Sequence, residues 1–225
     1  MVVQTENGGA RRTQAERRLV AKDGLLGAAA ELFAEQGVAE TSLAQIGERA
    51  GYSRGLANHH FGSKSELIEQ LAERVQAGFT DSLDISVSDT ALETILRIAR
   101  AYVGHSAVPS SELRALFVMW GASFPAESSV LGMAEADART RATLATWVER
   151  GQVDGSVSAD AQPAAAAAVL IGMLRGVVAQ RLVDPDSFDL VAVRAECERM
   201  VRAALTPNGS PATTPNEVTK KNKES

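Results

Sequence analysis

An all-α fold is predicted by three features of the chain. Apolar residues recur at three- and four-residue spacing over most of the 225 residues. Gly37, Gly51, Pro109, Pro125 and Pro185 punctuate those runs, and no stretch reads convincingly as a strand. About nine helices account for the pattern: an N-terminal three-helix headpiece over residues 13–63, then a longer helical bundle over 64–205. The tail, 206–225, sets prolines among Thr, Asn and Lys and is disordered by composition.

Residues 1–10 lack periodicity and are expected to form a mobile arm. Arg11 and Arg12 follow, able to reach a phosphate or merely to solubilise the chain. From Thr13 to Gln36, the apolar set Leu19, Leu25, Leu26, Ala29, Leu32 and Phe33 predicts one helix of several turns. Gly37 ends it, and Thr41 or Ser42 caps the next.

Leu43, Ile46 and Ala50 then fall at helical spacing, Gly51 breaks the helix, and Ser53 can cap a second short helix from Arg54 to Phe61. This is the outline of a helix-turn-helix. In that motif the first helix braces against a duplex backbone while the second offers side chains to base edges. Arg54, Asn58, His59 and Lys64 can donate to phosphates or bases, and the Asn58 amide can pair with adenine or simply end a short helix. The cap at Thr41 or Ser42 is a natural phosphate anchor, and Ser53 joins the candidate set. His60 suits a phosphate or local packing equally, while Phe61 reads as headpiece core.

Ser63 followed by Glu66 has capping-box spacing, so a fourth helix starts near Lys64 and runs through Leu67, Ile68, Leu71, Val75 and Phe79. It is long enough to serve as a lever between headpiece and bundle. A polar loop is expected between Asp81 and Ser88. Further helices are predicted over 91–105, 113–124 (broken by Pro125), 127–151 (followed by a loop that Gly155 closes), 159–182 and 188–205. The 159–182 segment is apolar round most of its surface and carries Gly172 and Gly176, so it is expected to be buried on both sides. If it packs on the last helix and on their symmetry mates, a two-fold four-helix interface results, with Leu170, Met173, Leu174, Val177, Val193 and Met200 as its candidates.

Phe79, Tyr102, Phe117, Met119, Trp120, Phe124, Met133 and Trp147 can line an apolar cavity or fill the core, and His105 or Arg114 can orient a ligand. Cys197 is the only cysteine, so no intrachain disulfide forms, and no metal-ligand spacing or cofactor motif occurs. No signal peptide is visible and no uninterrupted apolar run reaches membrane-spanning length, so a soluble cytoplasmic protein is expected, with no membrane partner. Residues 1–65 carry 8 Lys or Arg against 7 Asp or Glu, whereas residues 66–225 carry 15 against 21. A near-neutral start and an acidic remainder place any contact with double-stranded DNA at the N-terminal end.

Gly37, Thr41, Ser42, Leu43, Ile46, Ala50, Gly51, Ser53, Gly55, His60, Phe61, Ser63, Lys64 and Leu67 together resemble the N-terminal signature of TetR/AcrR-type transcriptional regulators, over about residues 20–71. The resemblance implies an all-helical homodimer with three helices for DNA and about six for dimerisation and ligand sensing. It implies a repressor released from a palindromic operator by a small-molecule effector, here an apolar one. Carried over by position, Thr41 or Ser42, Arg54, His59 and Lys64 contact DNA. Two departures stand out: Asn58 where the family usually has an aromatic, and Ala57 where it has a larger aliphatic. An activator of the same fold and a helical protein-binding adaptor are the alternatives. Enzyme function is disfavoured by one Cys, three His and no glycine-rich phosphate loop.

Overall fold

The computed structural model describes residues 13–86, 89–124 and 132–207. The expected arm with Arg11 and Arg12, the break at Pro125, the start of the helix expected from Glu127 and the tail from 208 onward lie outside them. Among the described residues the chain forms nine α-helices and no strand: α1 (Gln14–Gln36), α2 (Leu43–Arg49), α3 (Leu56–Phe61), α4 (Lys64–Asp81), α5 (Ala91–Gly104), α6 (Ser111–Ala122), α7 (Gly132–Asp154), α8 (Pro163–Val183) and α9 (Leu190–Leu205), with a 3-10 turn (His105–Ala107) after α5.

Side-chain caps set most of the starts. Thr13 and Glu16 form a reciprocal box, as do Ser42 and Gln45, and Thr90 and Glu93. At α4 only half of the expected box forms: Glu66 N donates to Ser63 Oγ (3.1 Å), whereas the Ser63 N–H goes to Phe61 O (2.7 Å). Gly37 ends α1 at φ 85, a left-handed conformation that a side chain would resist. Two corrections apply. Ser53 does not cap α3, whose N-cap is Gly55 with no side-chain bond; Ser53 and Arg54 lie in the turn, with Ser53 O accepting from Leu56 N at 3.0 Å. Leu19 is 67% exposed, because the first turns of α1 project past the core that begins at Ala21.

Two apolar cores result. One joins α1, α2, α3 and α4 to α6 and α7 through Leu25, Phe33, Ile46, Phe61, Leu71, Leu116, Met119 and Met133. The headpiece is therefore built into the bundle along α6 rather than carried by α4 alone. The other joins α5, α7, α8 and α9 through Ile95, Val103, Val148, Leu174 and Val201. Buried Cys197 sits there, its thiol pushed up by burial. The end of α7 ties α5 down: Ala91 N donates to Asp154 Oδ2 (2.9 Å) and Leu92 N to Ser156 Oγ (3.2 Å).

The outer helices depart from expectation. The α8 helix packs chiefly on α7 and α9 chiefly on α5, rather than on each other. In the single chain α8 buries one face only, through Ala167, Leu170, Ile171, Leu174, Arg175 and Val178, and leaves Val169 72% exposed. Gly172 and Gly176 are on the bare side, with no atom within 4 Å of where a Cβ would stand. By length and composition α8 is apolar enough to cross a membrane, although Arg175 and Arg181 interrupt its apolar run; here it is a wall of the bundle.

Candidate nucleic-acid interface and cavity

The candidate recognition surface rests on a short, tightly held pair of helices. Ala57 and Phe61 turn into the core at 0% and 1% exposure, and this leaves Asn58 and His59 outward on α3. The small Ala57 is thus a packing choice. Gly47 sits where a Cβ would lie 2.6 Å from Ser53 O, so α2 meets the turn backbone to backbone. The Arg49 guanidinium forks onto Glu35 (2.9 and 2.7 Å) and reaches Glu31 (3.4 Å), bracing α2 on α1 and holding the Glu35 carboxyl below its usual range.

Around that pair the candidate contacts differ in freedom. Ser42 is exposed at the start of α2, its hydroxyl accepting from Gln45 N. Thr41 is not: at 1% exposure its hydroxyl donates to Gly37 O (2.8 Å) and accepts from Gln36 Nε2 (3.2 Å), which makes it a turn tie rather than a contact. Arg54 extends from the turn, 78% exposed, with its Nε on Glu48. The Lys64 ammonium donates to Ala39 O (3.4 Å), and burial draws its pKa down. The half-buried His60 ring is kept toward its neutral form by burial, then by Arg18, His59 and Lys22. Arg18, Lys22 and Glu48 are the charges that sequence reasoning does not place at this surface; the polar faces of α1 and α2 are the available signal.

Behind the headpiece lies a cavity of about 450 Å³ bounded by α4, α5, α6, α7 and α8. Of the predicted lining, Phe79, Tyr102, His105 and Trp147 are brought together there. The Phe79 ring meets Tyr102 edge-on at 5.7 Å and His105 at 5.3 Å, and His105 Nδ1 lies 2.8 Å from Ala101 O. Phe117 and Trp120 border an adjoining recess with Tyr102, Met133 and Arg175. Phe124 is a correction: α6 ends at Ala122, leaving Phe124 65% exposed against the outer edge of Trp120, at 4.8 Å. Met119 is fully buried core, and Arg114 is exposed and off the cavity wall.

Polar groups unforeseen from sequence complete the wall. Gln76 Nε2 donates to Thr140 Oγ1 (2.7 Å) and Ala136 O (3.2 Å), stitching α4 to α7. Arg74 donates to Asp23 O on α1 (2.8 Å) and lies 3.8 Å from Glu112 on α6. Arg175, 7% exposed, pairs with Asp137, which Arg141 also reaches at 2.8 Å. An arginine in the middle of an apolar helix is the sequence signal for that pair.

The dimer candidates divide. Leu170 (6% exposed) and Leu174 (0%) are core residues of the single chain, a correction that follows from the phase of α8. Met173, Val177 and Val193 are half-buried, and Met200 is 48% exposed. Among the described residues no group of three or more His, Cys, Asp or Glu could hold a metal ion.

Comparison with known proteins matches two family descriptions. Residues 25–71 fit "Bacterial regulatory proteins, tetR family" and residues 91–206 fit "BetI-type transcriptional repressor, C-terminal". The HTH-type transcriptional regulator AcrR of Shigella flexneri is 27% identical over 199 residues, 80% of this chain and 86% of AcrR. The HTH-type transcriptional regulator TtgR of Pseudomonas putida is 27% identical over 180 residues, 74% and 82% of the two chains. Among solved structures, the complex of SmeT with triclosan aligns with a TM-score of 0.67 at 26% identity, over 91% of this chain and 100% of SmeT. Another SmeT structure, described as the repressor of the Stenotrophomonas maltophilia multidrug efflux pump SmeDEF, aligns at 0.67 and 27% over 86% and 95%.

Proposed function

Because the chain belongs to the tetR family of bacterial regulatory proteins, and so is a DNA-binding transcriptional regulator and not an enzyme, we propose that it works as a cytoplasmic homodimeric repressor that leaves a palindromic operator when an apolar small molecule fills its cavity. The observation that carries this reading is the position of α4. Its first residue, Lys64, follows α3 by a two-residue turn, and its later residues Val75, Gln76 and Phe79 form cavity wall. A body wedged against Phe79 strains the Gln76–Thr140 link and the Arg74 contacts, tilting α4 and with it α3. Two recognition helices that fit half-sites about one duplex turn apart then cease to fit together.

In this reading Ser42, Ser53, Arg54, Asn58, His59, His60 and Lys64 meet the duplex. The bare stripe of α8 around Val169, Gly172, Met173 and Gly176, with Val193 and Met200 of α9, meets a second copy. Small residues in that stripe allow close approach, and lipid is not needed to explain it.

The test is selection of bound duplexes from a random library, followed by titration of the recovered site at fixed salt. A palindrome, bound at least about tenfold more weakly by Arg54→Ala and released by an apolar probe, supports the reading. Triclosan is the first probe, since SmeT forms a complex with it. Equal operator affinity of the free and probe-loaded protein refutes release, and recovery of no duplex refutes DNA recognition through α3.

A further inference from the structure

We infer that the effector is a weak acid, an apolar ring-bearing body with one carboxylate or comparable oxyanion that docks on Arg175. This rests on the cavity being the effector site, as proposed above. Among the described residues lining the cavity, the side chains ionised at neutral pH without regard to histidine are Arg74, Glu112 and Arg175. Arg74 and Glu112 face one another, and Arg74 also bonds to Asp23, so that end is balanced within itself.

The Arg175 end is not. Arg175 is the only charged side chain among the buried described residues, and it borders both the cavity and the adjoining recess. Its partner Asp137 is shared with Arg141 and stays behind the wall. Two guanidiniums thus draw on one carboxylate. A guanidinium offers five N–H donors and no acceptor, and one carboxylate satisfies only part of that set. The Trp120 ring, 5.4 Å from the guanidinium carbon, helps hold the fork in place. The Tyr102 phenol oxygen accepts one of the remaining N–H groups, and burial pushes the phenol up, so it stays protonated and offers its own O–H as a further donor.

This end of a mainly apolar chamber therefore presents positive charge and donors in a low-dielectric setting. An oxyanion meets both needs, an alcohol meets only the hydrogen bonding, and an ammonium faces a buried cation. Phe79, Leu144, Trp147 and Ile171 supply the apolar wall for the body.

A matched set differing only in its head group tests this: 4-phenylbutanoate, 4-phenylbutanol and 4-phenylbutylamine, titrated into the full chain. Calorimetry and the fluorescence of Trp120 and Trp147, the only two tryptophans, report binding. The acid is expected to bind at least about tenfold tighter than the alcohol, with the amine weakest. Arg175→Met removes the acid's advantage and leaves the alcohol's affinity in place. Asp137→Asn, which frees the guanidinium and serves where Arg175→Met does not fold, raises the acid's affinity. An alcohol that binds the native chain as tightly as the acid overturns the inference, as does an acid preference that survives Arg175→Met or an acid affinity that Asp137→Asn leaves unchanged. If none of the three binds, the inference falls, and occupancy of the cavity is read separately from the triclosan titration above.

Discussion

Headpiece and bundle draw on the same apolar residue types and use them in opposite ways. The headpiece is crowded: Phe33, Ile46 and Phe61 are at most 1% exposed, and α2 touches the following turn so closely that only Gly47 fits. The bundle holds Phe79, Tyr102 and Trp147 half-buried around an opening of about 450 Å³. A helix of 6 or 7 residues has few contacts with which to fix its position, so all of them are made. Helices of 21 or 23 residues are held along their length and can leave a gap at one point.

Truncating one phenylalanine on each side gives the largest test of that contrast. Phe61→Ala empties a filled site and is expected to cost about 3–5 kcal/mol, whereas Phe79→Ala enlarges an existing space and costs about 1 kcal/mol or less. Urea unfolding of the two variants measures both. Equal losses would mean that the cavity wall is as tightly packed as the headpiece.

Glycine substitutions follow, and here the two regions differ in sign. Gly47→Ala drives a methyl group into the Ser53 carbonyl and is expected to destabilise by about 1–3 kcal/mol. Gly78→Ala, on α4 with nothing within 4 Å of the added carbon, gains helix propensity and stabilises by up to about 1 kcal/mol. Two losses of similar size would place both glycines in crowded surroundings.

The same contrast explains what is legible in the sequence. Turn chemistry is written in residue types, so Thr13, Gly37 and Ser42 mark ends that the structure keeps within a residue, whereas α7 ends three residues late and α8 starts four residues late. The exposure of Asn58 and His59 follows from placing Ala57 and Phe61 inside. Facing direction on a uniformly apolar helix is not written in this way. Leu170, Leu174 and Val169 are chemically alike, and only the packing of α8 on α7 decides that the first two are core and the third is bare. The role of Gly47 is invisible in the sequence because it depends on the distance to a turn that sequence does not give. Phe124 misleads because α6 stops at Ala122, before its side chain can turn inward.

A smaller effect is expected at the recognition surface. Glu48 occupies the Arg54 Nε and sets a carboxylate among groups assigned to phosphates. Glu48→Ala is expected to raise operator affinity by about threefold to tenfold at low salt and to steepen the fall with added salt by about one ion. Fluorescence anisotropy over a salt series reads both quantities. A fall in affinity would instead make Glu48 the residue that aims Arg54.

The smallest effect is a titration confined to the headpiece. Burial, reinforced by Arg18, His59 and Lys22, lowers the His60 pKa, so the fold prefers the neutral ring. The stability this supplies is complete above the unfolded value of about 6.5 and is lost as pH falls through the lowered folded value. A phosphate beside the ring acts the other way, raising the pKa on binding, so that operator binding takes up a proton and affinity grows over the same interval. The native chain should therefore grip its operator more tightly and unfold more easily as pH drops below about 6.5. Because other groups also titrate on acidification, the comparison with His60→Gln is decisive: both slopes should be shallower in the variant. If His60→Gln flattens the stability slope alone, the ring packs within the headpiece and does not reach the duplex.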